Sequence, residues 1–353
     1  MDGPPGAPRC LGEIGRRVED RVIGLLEHEL ARWGAVDPDL DAPLRALLDL
    51  VTAGGKRLRP AFCYWAYVGA GGDPAGADVL DAAAALELLH TFALVHDDVM
   101  DGSDLRRGMP TVHRAFRERH GAARARGESR RFGEGAAILV GDFAFVYADV
   151  LLGNVPPAAR TVFDELRTEL CVGQFLDLVG TAGRSTDPAR ASRIERYKSG
   201  KYTVERPLHL GASLAGRLDD LGGPLSRFGL PLGEAFQLRD DLLGVFGDPA
   251  VTGKPVGDDL REGKLTPLVA AAVAAADATQ RRVLDRLGAP TLGPGDVAHL
   301  QSVLVDTGAV AATEQAIERL VGEALDALDA TPITDDARVA LKELATFVAW
   351  RDR

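Results

Sequence analysis

The chain has 353 residues, 46% of them apolar, enough for one large domain or two ordinary ones with a sizeable core. Its formal net charge of -11 excludes a general nucleic-acid binder, which carries a basic footprint, but not small anionic ligands at a local positive site. Cys10, Cys63 and Cys171 lie far apart in the sequence and form no metal-type pair, so free thiols in a reducing, cytoplasmic setting are expected.

Residues 1–10 are rich in Gly and Pro and read as a flexible N-terminus; 11–353 read as one domain. Met1 to Arg9 contains no apolar core of a secretory signal. From Leu11 to Trp33, apolar residues recur every three or four positions, which predicts an amphipathic helix. Asp39 to Val51 is a weaker helical pattern. Gly54-Gly55-Lys56-Arg57-Leu58-Arg59-Pro60 then sets two glycines and three cations before a Pro suited to starting a helix, which continues to Ala70. Val79 to Asp101 is the central helix. It is apolar for most of its length and ends in Asp97, Asp98 and Asp101. No 18-residue apolar stretch is free of charge, since even this run holds Glu87 and His90, so no transmembrane segment is expected.

Arg114 to Arg131, rich in Arg, Gly and Ala, reads as an exposed or mobile loop, with or without a short helical start. Helices follow at Gly135–Gly153, Ala158–Val179, Pro188–Tyr197, Tyr202–Ala215 and Ser226–Phe246. Five more segments, Thr266–Ala278, Ala278–Leu287, Pro294–Asp306, Ala311–Ala330 and Asp335–Trp350, finish the chain. Strand-like alternation is nearly absent. The fold class is therefore all-α, a single large helical bundle.

Three carboxylates on one helical turn repel one another unless a cation neutralises them. Asp97 and Asp101 share a face, with Asp98 beside them. Mg2+ is the natural partner, because it binds through one or two carboxylates plus substrate phosphates. A solvated helix end is the bland alternative; it is disfavoured because acids at a helix C-terminus oppose the macrodipole. Phe236 to Gly244 repeats the design with Asp240 and Asp241. Two such acidic ends facing across a bundle would form one central cavity and clamp a diphosphate through metal ions. Lys56, Arg59, Arg106, Arg107, Lys198, Lys254 and Lys264 would bind its oxygens, Arg in bidentate fashion and Lys as a point charge. Gly253-Lys254-Pro255 is no P-loop, for its spacing is wrong and Pro255 stands where Ser or Thr is required. His90 and His96 are by default satisfied core histidines.

Taken together, Gly54–Pro60, Asp97 to Gly108, and Phe236 to Lys264 resemble the trans-isoprenyl diphosphate (polyprenyl) synthases, in order over roughly residues 40–270. The resemblance implies the isoprenoid-synthase bundle with its active-site cavity, and a homodimer. It implies head-to-tail joining of an allylic diphosphate to isopentenyl diphosphate, with Mg2+, three ions per site, stabilising the departing pyrophosphate. Asp97 and Asp101 match the first-motif metal ligands, with Asp98 supporting. Asp240 matches the second-motif ligand, with Asp241 and Asp259 nearby. Arg106, Lys198 and Lys254 match allylic-diphosphate contacts, and Lys56, Arg59, His90 and Arg107 the isopentenyl-diphosphate site. Ser199 and Gln237 match positions flanking the cation. Two departures stand out: Gly244 replaces the usual third Asp of the second motif, and Ser199 stands where Thr is common.

Chain length in such a site depends on what blocks the cavity below the first metal site. Phe92 and Ala93 lie five and four residues before Asp97, roughly 6–7.5 Å deeper along the axis. One Phe beside a small Ala resembles the geranylgeranyl diphosphate synthases and implies a C20 product, with C15 or a longer polyprenyl chain as runner-up. A class I terpene cyclase would carry an Asn/Ser/Glu second motif and need no second diphosphate site. A non-catalytic modulator subunit would have lost acidic residues.

Overall fold

Leu11, Ile14, Val18, Val22 and Leu26 fall on one stripe, and in the computed structural model they line the buried face of the first helix, α1 (Arg9–Gly34). The structure describes residues 6–153, 155–183, 193, 196–248, 256–264, 266–289 and 291–350, without the side chains of 181–183, 198 and 199. Helices α2 (Asp41–Thr52), α3 (Leu58–Gly69) and α4 (Ala77–Asp101) follow. A two-residue antiparallel ladder pairs Leu105 with Pro110 and Arg106 with Met109. Next come α5 (Val112–Ala122), α6 (Ser129–Leu152) and α7 (Pro157–Gly183). A π-helical segment, Arg196–Glu205, runs into α8 (Arg206–Leu214), and α9 (Leu218–Phe246) follows. The chain finishes with α10 (Asp258–Glu262), α11 (Pro267–Ala275), α12 (Ala278–Leu284), α13 (Pro294–Asp306), α14 (Ala309–Asp329) and α15 (Asp335–Trp350). The fold is all-α, as expected; among the described residues the ladder is the sole sheet.

Two compact units emerge, one within Met1–Arg160 and Leu210–Gly216, the other within Thr161–His209 and Arg217–Arg353. In the first, α4 packs on α6, α3 and α1, while α5 lies along α6. In the second, α9 packs on α14, α15 and the π-helical segment.

The Arg-rich stretch is a correction. Residues 112–122 form α5, and α6 already begins at Ser129. The arginines occupy the outer side, while Val112, His113 and His120 turn inward. Gly133 lets the two helices meet, because a Cβ there would collide with the His113 carbonyl oxygen. His120 fastens the intervening loop, with one ring nitrogen 3.0 Å from Ser129 Oγ and the other 3.1 Å from the Arg126 carbonyl oxygen. The start of α9 differs too: it begins eight residues before Ser226 and carries Pro224 and Pro231 within it. A proline in a helical pattern reads as a boundary from sequence, and here packing overrides that.

Helices α4 and α6 are long and apolar enough to cross a membrane by length and composition. That qualifies the expectation of no spanning stretch. Of the most apolar window, 61% is buried inside the protein in α4 and 44% in α6.

Candidate active site

Helix α4 stops where its chemistry starts. Gly102 adopts the left-handed conformation at φ 67° and ends the helix directly after Asp101, its N–H returning to the Asp98 carbonyl. The three aspartates divide their tasks. Asp98 is 2% exposed and turned inward. Arg106 donates from Nε to its Oδ1 at 2.9 Å and also from Nη2. Asp97 is half-buried, its Oδ2 3.9 Å from Arg106 Nη2, and Asp101 is exposed. Burial opposes the Arg106 charge, but Asp98, Asp97 and Asp101 outweigh it and hold its pKa above the ordinary value.

Arg106 and Arg107 reach this position through the hairpin. Arg107 and Gly108 both have positive φ, 53° and 75°, the conformation required of both central residues in a tight I′ turn. Arg107 Nη1 donates to the Leu50 carbonyl at 2.9 Å, tying the turn to α2. The sequence gives no alternation from which so short a ladder could be read.

The cations gather around His90. Its pKa is held well below 6.5 by burial and then by Arg59, Arg107, Arg57 and Arg106. It is therefore a neutral imidazole at pH 7, able to donate one N–H. The paired glycines make room: Gly54 has φ 92°, and a Cβ on Gly55 would lie 2.8 Å from Arg107 Nη2 and 3.2 Å from Arg57 Nη1. Lys56 is half-buried in the turn before α3. Arg57 and Glu87 were not among the sequence candidates. Arg57 is left-handed at φ 50° and 6% exposed. Its Nη1 donates to Glu87, 3% exposed, and its Nη2 to the Val51 carbonyl at 2.6 Å and to Glu19 at 3.3 Å. A Lys-Arg-x-Arg string gives no sign that its middle member is the buried one.

Phe92 and Ala93 are both half-buried on α4. The Phe92 ring packs 4.6 Å from His96 and 4.9 Å from Phe145 of α6, centroid to centroid. His96 Nε2 lies 3.0 Å from the Ile138 carbonyl oxygen and fills the space beside Gly141, so it is the satisfied structural histidine expected.

In the second unit, α9 ends at Phe246 with Asp240 half-buried and Asp241 buried. Gln237 Nε2 donates to Asp241 Oδ1 at 2.8 Å. A carboxylate can only accept, so the NH2 end of that amide faces Asp241 and its carbonyl oxygen is directed elsewhere. Gly244 has a steric reason. A Cβ there would collide with the Asp259 carboxylate, which stands on α10 over the place of the missing third acid. Lys264 lies 3.9 Å from Asp259 Oδ1 and 2.7 Å from Glu262 Oε2.

Lys254 lies outside the described residues, as do the side chains of Lys198 and Ser199 and most of the helix expected over Pro188–Tyr197. Gly200, beside them, touches the backbone of Gly233 so closely that a Cβ on Gly233 would lie 2.7 Å from Gly200 Cα. Glu169 accepts from Lys201 and, at 2.6 and 2.7 Å, from Arg206, which fastens the π-helical segment to α7. Among the described residues no three His, Cys, Asp or Glu side chains converge as a ready-made metal cage. The donors are nonetheless of the right kind: oxygen-only, with Asp97 and Asp101 on one face, the set from which Mg2+ takes one or two carboxylates beside substrate phosphates.

A family model described as polyprenyl synthetase matches residues 41–304. Geranylfarnesyl diphosphate synthase of Aeropyrum pernix is 33% identical over 93% of this chain and 99% of its own length. Geranylgeranyl diphosphate synthase of Saccharolobus solfataricus is 33% identical over 87% of this chain and 89% of its own. A crystal structure of geranylgeranyl pyrophosphate synthase from Corynebacterium glutamicum, complexed with isoprenyl diphosphate and magnesium, matches at 38% identity with a TM-score of 0.92. It covers 97% of this chain and 99% of that one.

Proposed function

The chain belongs to the polyprenyl synthetase family of trans-prenyltransferases, and from that premise we propose that it extends an allylic diphosphate with isopentenyl diphosphate to geranylgeranyl diphosphate. One observation carries this reading: in a single unit, the arginines crowding His90 lie beside an acidic helix end, so a cation-lined anion site adjoins a metal-type site. Two diphosphates need both.

In the reaction the allylic C–O bond breaks, leaving an allylic cation and pyrophosphate. The isopentenyl double bond attacks that cation, a C–C bond forms, and a proton passes to pyrophosphate. Asp97, Asp101 and Asp240 would hold the Mg2+ ions, three per site on this reading, which would supply the charge neutralisation that pyrophosphate needs to leave. Asp98 fixes Arg106 so that its remaining N–H groups meet the allylic diphosphate in one orientation. Lys198, Lys254 and Lys264 add point charges to that diphosphate. Lys56, Arg59, Arg107 and neutral His90 hold the diphosphate of isopentenyl diphosphate. Gln237, its amide oriented by Asp241, offers a carbonyl oxygen to the developing cation, and the Ser199 hydroxyl serves the same end. Asp259 supplies the carboxylate that Gly244 lacks. On this reading the catalyst works as a homodimer in the cytoplasm, the reducing setting that suits three cysteines spaced far apart in the sequence.

Phe92, braced by Phe145, forms the floor that ends growth at C20, with Ala93 leaving room for the last unit. The relative from Aeropyrum pernix makes C25 the rival length. Incubation with Mg2+, labelled isopentenyl diphosphate and dimethylallyl, geranyl or farnesyl diphosphate is expected to yield a C20 product by chromatography, and Phe92→Ala a longer one. An allylic diphosphate consumed without isopentenyl diphosphate would mean a cyclase, and no turnover a modulator. An unchanged product length in Phe92→Ala would refute the floor.

A further inference from the structure

The cation cluster around His90 contains a carboxylate that the prenyl-transfer reading leaves without a task. Glu87 is 3% exposed and sits on α4 three residues before His90, on the same face. It accepts a hydrogen bond from Arg57, and it is the charge that most supports Arg107 against burial and against Arg57, Arg106 and Arg59. Arg57 also meets Glu19, but that side chain is 24% exposed and belongs to the rim. Buried charges are stable only when compensated. Arg57 and Arg107 thus share one deeply buried anion.

We propose that Glu87 is the built-in counter-ion of the diphosphate site: it neutralises part of the cluster before substrate arrives and thereby limits how tightly a diphosphate can bind. This rests on the assignment of the cluster to isopentenyl diphosphate. Glu87 touches no reacting atom; it acts through Arg57 and Arg107. Its charge repels the incoming diphosphate while it stabilises the substrate-free protein. Weak enough binding matters here, because every elongation cycle must admit a fresh isopentenyl diphosphate.

Glu87→Gln separates charge from packing. The amide has nearly the same shape and keeps an oxygen to accept from Arg57, but the negative charge is gone. Wild type and variant are titrated with isopentenyl diphosphate in EDTA, where no metal bridges a diphosphate to the aspartates and binding reports the cations. The variant is expected to bind on the order of tenfold more tightly, as for one unit charge about 12 Å away at an effective dielectric near 20. Its KM for isopentenyl diphosphate falls and its KM for the allylic primer stays. Its Tm is lower without ligand and rises further than wild type when isopentenyl diphosphate is added. Should Glu87→Gln not fold alone, isopentenyl diphosphate during refolding must rescue it, since the diphosphate replaces the missing charge; failure of that rescue overturns the proposal. Glu87→Asp keeps the charge and must bind as wild type does; tightening there would assign the effect to packing and overturn it. Equal or weaker binding by a folded Glu87→Gln overturns it as well. If wild type binds and Arg59→Ala weakens that binding, the site assignment stands whatever Glu87 does. If wild type does not bind, the assignment falls and the counter-ion role falls with it.

Discussion

Desolvation and the surrounding arginines hold the His90 pKa well below 6.5, so its proton is lost well below that pH in the folded protein. The unfolded chain takes up that proton as pH falls through about 6.5, while the folded chain does not. Across this window the unfolded state binds more protons, so stability rises with pH and is lost on acidification. His90→Gln keeps a side-chain N–H donor and removes the titration. Thermal melts between pH 7.5 and 5 are expected to fall less steeply for His90→Gln than for wild type, the curves diverging below about pH 6.5. Parallel curves would show that His90 is not shielded as the arginine ring requires. His113 and His209 are also held low, chiefly by burial, and act in the same sense in both proteins, so the difference isolates His90.

At the scale of elements, glycines decide where helices approach. Gly133 of α6 faces the backbone of α5, and a Cβ there would collide with the His113 carbonyl oxygen and lie 2.9 Å from Arg117 N. Alanine at a helical glycine gains about 1 kcal/mol of helix propensity, while overpacking costs about 1–3 kcal/mol. The obstacle is backbone and cannot rotate aside, so the cost wins. Gly133→Ala is expected to lose up to about 2 kcal/mol in urea unfolding; a gain in stability would mean that α5 does not lie as described. α5 directly follows the hairpin of Arg106 and Arg107, so the same variant is expected to weaken diphosphate binding. These crossings also explain what could be seen from sequence. The 3.6-residue periodicity gave α1, α4, α13 and α15 nearly residue for residue, and the aspartates at the end of α4 were legible because their chemistry is local. α5 was missed because its apolar face is only Val112, His113 and His120, too thin for a periodic signal. Arg57 and Glu87 were missed because they find each other across 30 residues of sequence, and nothing local distinguishes a buried Arg in a basic string from its exposed neighbours.

For the whole molecule, the open face of α6 poses the remaining question. Phe132, Leu139, Val146 and Val150 are 48–59% exposed and fall on one stripe, the first three at intervals of seven. The opposite face, from Gly133 through Ala137, Val140, Ala144 and Ala148 to Leu151, is buried. A bilayer and a second copy of the chain are two ways to cover such a stripe. Asp142, 55% exposed near the middle of α6, argues against lipid, because an acid at the centre of a spanning helix costs about 2.5–3.5 kcal/mol. Heptad spacing instead suits packing against another helix, and a twofold axis would pair α6 with its own copy. α7, in the other unit, bears an exposed stripe of its own, Val172, Phe175 and Val179. Leu139→Glu would bury two carboxylates at such a seam, with no cation on the stripe to pair them. Light scattering after size-exclusion chromatography is expected to give twice the chain mass for wild type and a single chain mass for Leu139→Glu, with the helical circular-dichroism signal retained. A wild type that runs as a monomer at micromolar concentration, or a glutamate variant that stays dimeric, would leave α6 with another partner.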